Sequence, residues 1–114
     1  MNINVRTTTV VEVKTRELFD ILSESSLEML WDDPDSGMGE NIFNDLKTIA
    51  RGDVAGIRQL FRDGYTMMML PPKAFQVVEA IFANSLQDRA PVEIHLFNDD
   101  GNFIGVVTAE DMSY

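Results

Sequence analysis

The amino-acid sequence predicts an α+β fold in which a small antiparallel sheet packs one face against about four helices. Two observations predict it. Segments near both ends of the chain alternate polar and apolar residues with period two, while the segment between them repeats its apolar residues at helical spacing. The predicted order of elements is therefore β-α-α-α-α-β-β, and a length of 114 residues fits one domain over residues 1–114.

The first strand and the first helix are adjacent in the chain. β-branched residues occupy every second position of residues 3–13, which predicts the strand. Thr15 can cap the helix that follows, and Glu17 suits the positive end of the helix dipole. The helix must end by Asp33, because a proline at position 34 disfavours a helical conformation in the residue before it.

Three further helices are predicted in the central segment. Residues 42–50 form an amphipathic pattern that Gly52 is placed to stop. Asp53 is a good N-cap for the third helix, and Gly64 fits its C-terminal exit. Pro72 suits the first position of the fourth helix, which has the widest apolar stripe and is expected at the centre of the core.

The C-terminal part of the chain predicts a β-hairpin. Residues 92–97 alternate in the manner of a strand, residues 98–102 have the composition of a hairpin turn, and residues 103–109 return as the last strand. The hairpin is necessarily antiparallel, and we expect the first strand to join its edge beside this last strand, in a three-stranded antiparallel sheet. Residues 110–114 are expected to fray.

Composition excludes several classes of function. Nineteen acids against nine bases give a net charge of −10, which argues against direct binding of nucleic acid. Without cysteine there is no disulfide and no thiolate metal site, and a single histidine leaves little room for histidine catalysis. The first residues lack a secretory signal, and no apolar run approaches the ~20 residues of a membrane span. We expect a cytoplasmic protein.

The negative charge is concentrated in one segment. Residues 17–46 contain nine acids and no lysine or arginine, whereas the remainder contains ten acids and nine bases, a net of −1. Four acids of the first helix are spaced three, four and four apart, so they lie within about 80° of one another. Like charges at this spacing repel by ~0.2–0.5 kcal/mol per pair, so helix stability does not explain the pattern.

These observations predict a partner-binding surface on the first helix and the loop of residues 32–40. Ile21 projects beside the acids, and Trp31 does so too if the helix extends that far; an aromatic side chain ringed by charges is typical of a binding hot spot. The alternative is a solvated helix face, with Trp31 folded back onto the core. The predicted partner-binding residues are Glu17, Asp20, Ile21, Glu24, Glu28, Trp31, Asp32, Asp33, Asp35 and Glu40.

No metal, cofactor or catalytic site is predicted. If Gly37 took the sixth position of an EF-hand loop, positions three and twelve would fall on Pro34 and Phe43, which have no side-chain oxygen. His95 shares a strand face with Glu93, an arrangement that general-base chemistry can use but that surface histidines show far more often. Because nucleophile-elbow, zincin and Walker motifs are absent, we do not expect an enzyme.

The main alternative to a partner-binding protein is a structural module that self-associates through the Met67–Leu70 segment or through the edges of its sheet. Met67, Met68 and Met69 form an apolar run that would suggest a homodimer contact if exposed, although alternate residues of such a run are more often core. A milder basic side with Lys47, Arg51, Arg58 and Arg62 would make the protein dipolar and favour head-to-tail contacts.

The sequence therefore predicts a small acidic binding protein that inhibits or regulates a basic partner. Carboxylates can occupy phosphate positions, so nucleases and other nucleic-acid-handling proteins are the expected targets. An immunity protein or antitoxin, or a phage or mobile-element inhibitor of a defence system, would have this composition. The alternatives are a self-associating structural module and a sensor of divalent metals or small ligands that uses the Asp-rich loop.

Overall fold

The computed structural model describes residues 7–32, 39–65, 69–83 and 91–112. Four helices and three strands follow the predicted order β-α-α-α-α-β-β, which confirms the α+β fold class. The elements are β1 (Thr9–Lys14), α1 (Thr15–Asp32), α2 (Gly39–Ala50), α3 (Val54–Leu60), α4 (Pro72–Phe82), β2 (Val92–Phe97) and β3 (Phe103–Thr108), with a π-helical turn at Phe61–Tyr65 after α3. No helix of the described ranges combines the length and apolar character needed to cross a membrane.

The sheet is mixed, so the prediction of a wholly antiparallel sheet is wrong. Its strand order is β1-β2-β3, so β1 lies beside β2, whereas the sequence predicted that it would lie beside β3. β1 runs parallel to β2, from Thr9 opposite Val92 to Lys14 opposite Phe97, while β3 runs antiparallel to β2. Parallel strands need a long crossover connection, and the helical segment between β1 and β2 supplies one.

The helices cover one face of the sheet, and the position of β2 follows from its composition. Val92, Ile94 and Leu96 of β2 are almost completely buried, and the intervening residues of that strand are only partly so. A strand with this much apolar surface is protected best at the centre of the sheet, where a neighbour lies on each side. The helices contribute Leu18, Leu22, Ile57, Leu60, Ala74, Val78 and Phe82 to the same core.

Several helix boundaries agree with the predicted signals. The Asp53 side chain accepts a hydrogen bond from the backbone N–H of Gly56 at 3.1 Å, which caps α3 as expected. Gly52, at φ +67°, ends the turn after α2 in the left-handed region. Pro72 begins α4. α1 begins at Thr15 itself, so this residue is the first of the helix and not the residue before it.

Gly105 allows α3 to pack closely on β3. A Cβ atom at this position would lie 2.5 and 2.8 Å from the two methyl carbons of Val54. These separations are far below van der Waals contact, so any larger residue would push the helix away from the sheet.

The C-terminal segment is ordered through Met112, so the expectation of fraying is wrong for residues 110–112. Asp111 and Met112 are both buried. One Asp111 oxygen accepts hydrogen bonds from Arg62 Nη2 at 2.6 Å and Nε at 2.9 Å, and the other accepts from the Thr108 backbone N–H at 3.0 Å. Burial alone would raise the pKa of Asp111, but the hydrogen bonds from Thr108 and Arg62 together hold it below its usual value.

Candidate partner-binding surface

The predicted acidic stripe is present on α1 and lies on the side of the helix away from the core. We call Glu17, Asp20, Glu24 and Glu28 the acidic row. Its members are exposed, except for the half-buried first residue. Counting 100° per residue, the buried residues Leu18, Leu22 and Ser26 lie about 150° around the helix from the row. The row therefore faces solvent.

The dimensions of the row set the kind of partner that it fits. Glu17 and Glu28 are eleven residues apart, which is about 16 Å along a helix that rises 1.5 Å per residue. Four charges over that length are less dense than duplex DNA, which carries one charge per ~1.7 Å. The row therefore matches a few well-placed cations and not the whole channel of a nucleic-acid-binding protein.

The carboxylates in the second half of the acidic row have no ion-pair partner among the described residues. Asp20 forms an ion pair with Arg16, at 3.3 Å, one turn earlier in α1. Arg16 lies one position before residues 17–46, the segment that contains no lysine or arginine, so the charge of that segment does not include it. Glu24 and Glu28 form no ion pair with any residue that the structure describes. The carboxylates available to a partner are therefore those farthest from the start of α1.

Apolar side chains flank the acidic row. Ile21 is half-buried beside it, and Leu27 is 65% exposed. Leu27 was not predicted as a site residue, although helical spacing places it only about 20° from Asp20. α1 extends through Asp32, so position 31 lies on the same side of the helix as the row; the Trp31 side chain lies outside the described part of the structure.

The predicted contribution of residues 32–40 falls mostly outside the described residues. Asp33 and Asp35 lie in the undescribed segment. The backbone of Asp32 ends α1 and that of Glu40 belongs to the first turn of α2, but their side chains are not described. In the described ranges, no three side chains of the metal-binding types converge on one point.

The residues predicted for self-association have other roles where the structure describes them. Met69 is completely buried in the core and is not available to a second molecule, while Met67 and Met68 lie outside the described residues. Arg58 donates a hydrogen bond from Nε to the Val106 carbonyl at 2.8 Å. Arg62 holds Asp111, and the Lys47 ammonium lies 4.5 Å from the centroid of the Phe43 ring. Three of the four residues of the predicted basic side therefore make contacts within the fold, while Arg51 is exposed.

His95 lies on the sheet face opposite the helices. Its ring packs edge-on against Phe103, with 5.4 Å between ring centroids, and its Nε2 lies 3.8 Å from the Glu93 carboxylate. The buried Nε2 atom has no hydrogen-bond partner among the described residues. The arrangement packs the open face of the sheet, where Glu12 of β1 lies opposite His95 in the strand register.

The chain matches no protein-family model, no curated protein and no solved structure at a significant level.

Proposed function

We propose that this protein is a non-enzymatic inhibitor or regulator that binds a basic, nucleic-acid-handling protein through α1. The acidic row supplies the charges that the partner recognises, and Ile21, Leu27 and the Trp31 position supply apolar contact beside them. The partner is blocked because α1 occupies the surface on which nucleic acid would otherwise lie. Immunity proteins, antitoxins and anti-defence inhibitors from phages or mobile elements act in this general way.

The observation that supports the proposal is the open part of the acidic row. Glu24 and Glu28 are exposed, four residues apart and without an ion-pair partner among the described residues. Their repulsion weakens the helix slightly, so the arrangement has a cost that folding does not require. A partner that places cations beside both carboxylates would offset that cost on binding.

The charged and the apolar residues of the surface are expected to affect different quantities, the association rate and the affinity. A cluster of like charges raises the association rate with an oppositely charged partner, by ~10- to 1000-fold at low salt. Carboxylates at the edge of the contact add little to affinity, because exposed ion pairs contribute only ~0.2–1 kcal/mol each. Most of the affinity is therefore expected from Leu27 and Trp31, where apolar surface leaves water on binding.

A capture experiment with a charge-matched control tests the proposal. The native chain, a Glu24→Lys/Glu28→Lys variant and an Asp99→Lys/Asp100→Lys variant are immobilised and exposed to lysate of the source cell. Asp99 and Asp100 are exposed in the hairpin turn, where Asp99 lines a cavity with Thr15, Arg16 and Phe19 at the start of α1, more than one helical turn before Glu24. Each reversal adds two units of charge, so both variants change from −10 to −6.

The proposal predicts a basic nucleic-acid-handling protein that the native chain and the hairpin variant retain and that the α1 variant loses. The retained protein should bind more weakly at ~0.5 M than at ~0.05 M salt, because the Debye length shortens. Equal retention by all three baits would contradict the proposal. Equal loss from both variants would also contradict it, because the effect would then come from net charge and not from α1.

A further inference from the structure

We infer that the free edge of β1 binds an extended basic segment of the same partner by adding it to the sheet as a fourth strand. This inference rests on the proposed function, since the acidic row begins where the edge lies. A groove of about 780 Å³ follows that edge, between β1 and the start of α4. Its lining includes Val10, Glu12, Glu17, Pro71, Lys73 and Val77.

The backbone of β1 directs toward the groove N–H and C=O groups that pair with no other described strand. β1 pairs only with β2 among the described strands, so its other side is an edge. The Thr9 N–H donates to the Pro91 carbonyl at 2.9 Å, which directs the backbone of Thr9 toward β2. Strand geometry alternates, so Val11 and Val13 also face β2, whereas Val10 and Glu12 direct their N–H and C=O groups outward. An extended peptide can pair with those groups.

The groove also offers apolar contact. Val10 is 47% exposed and Val77 is 37% exposed, so two of the five exposed large hydrophobic residues among those described line this one groove. Pro71 forms part of the opposite wall and has no N–H to donate. The β1 side of the groove therefore supplies the backbone pairing, and the α4 side supplies a rigid apolar surface for alternate side chains of the bound segment.

The charge at the groove selects the occupant. Glu12 and Glu17 carry two negative charges against the single positive charge of Lys73. Glu17 is also the first member of the acidic row, so the groove and the row form one continuous negative surface. An extended segment that alternates basic and apolar residues fits this lining. A second copy of the chain fits less well, because it brings a further charge of −10.

A synthetic peptide measures the strand pairing directly. The probe is an end-blocked peptide of about seven residues, the length of an ordinary strand, in which lysine alternates with valine. It is titrated into the isotopically labelled full chain. The inference predicts amide shifts at residues 9–14 and 71–77. A glutamate–valine peptide of the same length should bind at least ~10-fold more weakly, because it places like charges beside the acids.

Two N-methylated forms of the lysine–valine peptide separate backbone pairing from charge. One form is methylated on the backbone amides of its lysines and the other on those of its valines. Because alternate residues direct their N–H groups to opposite edges of a strand, each form loses the N–H donors of one edge, and both keep the same charge. Pairing with β1 predicts affinities that differ by at least ~10-fold, because only one edge of the peptide is bonded. Equal affinities would show that charge alone holds the peptide, and would overturn the inference.

A variant of the edge itself provides the second test. Val10→Pro removes an N–H that faces the groove and leaves the hydrogen bonds to β2 in place, as proline at a strand edge can. Val10→Thr keeps that N–H and is the matched control. Peptide binding should weaken at least ~10-fold in Val10→Pro and less than ~2-fold in Val10→Thr. Should Val10→Pro not fold, as judged by its circular dichroism, the comparison of the methylated peptides decides.

The outcomes distinguish this inference from the proposed function. Loss of the captured partner with Val10→Pro but not with Val10→Thr supports the inference. If the partner is lost with Glu24→Lys/Glu28→Lys yet retained by Val10→Pro, the proposed function stands and the edge is not used. Amide shifts at residues 9–14 that depend on protein concentration without peptide would identify a second copy as the occupant and overturn the inference.

Discussion

Removing one charge from the acidic row should stabilise the protein while weakening its function. Glu24 has Asp20 four residues before it and Glu28 four residues after it, on the same side of α1. Two unit charges about 6 Å apart in water repel by about 0.7 kcal/mol, and a Debye length of ~8 Å reduces this to about 0.3 kcal/mol. Two such neighbours give about 0.6 kcal/mol, within the ~0.4–1 kcal/mol expected from helix pairs of like charge.

Glu24→Gln should therefore raise the free energy of unfolding by about 0.6 kcal/mol and Tm by roughly 2–5 °C. Glutamine and glutamate have similar helix propensities, so intrinsic preference contributes little. Urea unfolding measures the free energy of interaction between the two carboxylates when it is applied to Glu24→Gln, Glu28→Gln and the double variant. This repulsion should be about 0.2–0.5 kcal/mol.

High salt is the control for this prediction. At ~1 M salt the Debye length is ~3 Å, so the gain from Glu24→Gln should nearly vanish. A gain that persists in high salt would come from something other than repulsion. A loss of stability at low salt would mean that Glu24 makes a favourable interaction in the native state, and the argument that the row has a cost would be refuted.

Two further predictions concern packing around the C-terminal strand. Asp111→Ala should lower the free energy of unfolding by about 1–3 kcal/mol at neutral pH, because it removes the acceptor for Arg62 and Thr108. Folding lowers the pKa of Asp111 below its ordinary value of 3.8, so the stability that the carboxylate contributes is present above that pH and is lost as pH falls through the folded pKa. In urea unfolding, the free energies of unfolding of the variant and the native chain should therefore differ near neutral pH and converge near pH 3. Gly105→Ala should cost about 1–3 kcal/mol, because the new Cβ would meet the methyl carbons of Val54. Val54→Ala in the same chain should make the combined loss in thermal unfolding smaller than the sum of the two single losses, and strict additivity would count against the contact.

Local signals in the sequence were sufficient for the elements but not for the sheet. The cap at Asp53, the start of α4 at Pro72 and the alternation of residues 92–97 each depend on neighbouring residues alone. The partner of β1 depends on how the helices between β1 and β2 fold back over the sheet, which periodicity does not encode. The pairing of two hairpin strands is determined by the short turn between them, whereas the pairing of two parallel strands depends on the path of the whole segment that connects them.

The C-terminal segment shows a second limit of sequence reasoning. Position near the end of the chain indicates fraying, but Asp111 is buried and accepts hydrogen bonds from Arg62, which lies forty-nine residues earlier in the chain. Asp111 lies three residues after the end of β3 and has several candidate basic partners in the sequence, and only the packing of α3 against β3 selects Arg62. The same contact removes Arg62 from the predicted basic side.

The candidate site was predicted in part. Spacing placed the acidic row on one side of α1, and the structure has that row opposite the core. Charge counting missed the Arg16–Asp20 ion pair because the basic residue lies one position before the acidic segment. The groove along β1 had no signal in the sequence, since it exists only because β1 is at an edge and α4 lies beside it.

The association rate of the captured partner, measured against ionic strength, tests the central claim most directly. The claim predicts a rate for the native chain that falls steeply as salt rises. It predicts a rate for Glu24→Lys/Glu28→Lys that is at least ~10-fold lower at low salt and that falls less steeply as salt rises. The same rates for both chains at every ionic strength would contradict the claim, because the acidic row would then be a solvated helix face and not the surface that the partner meets.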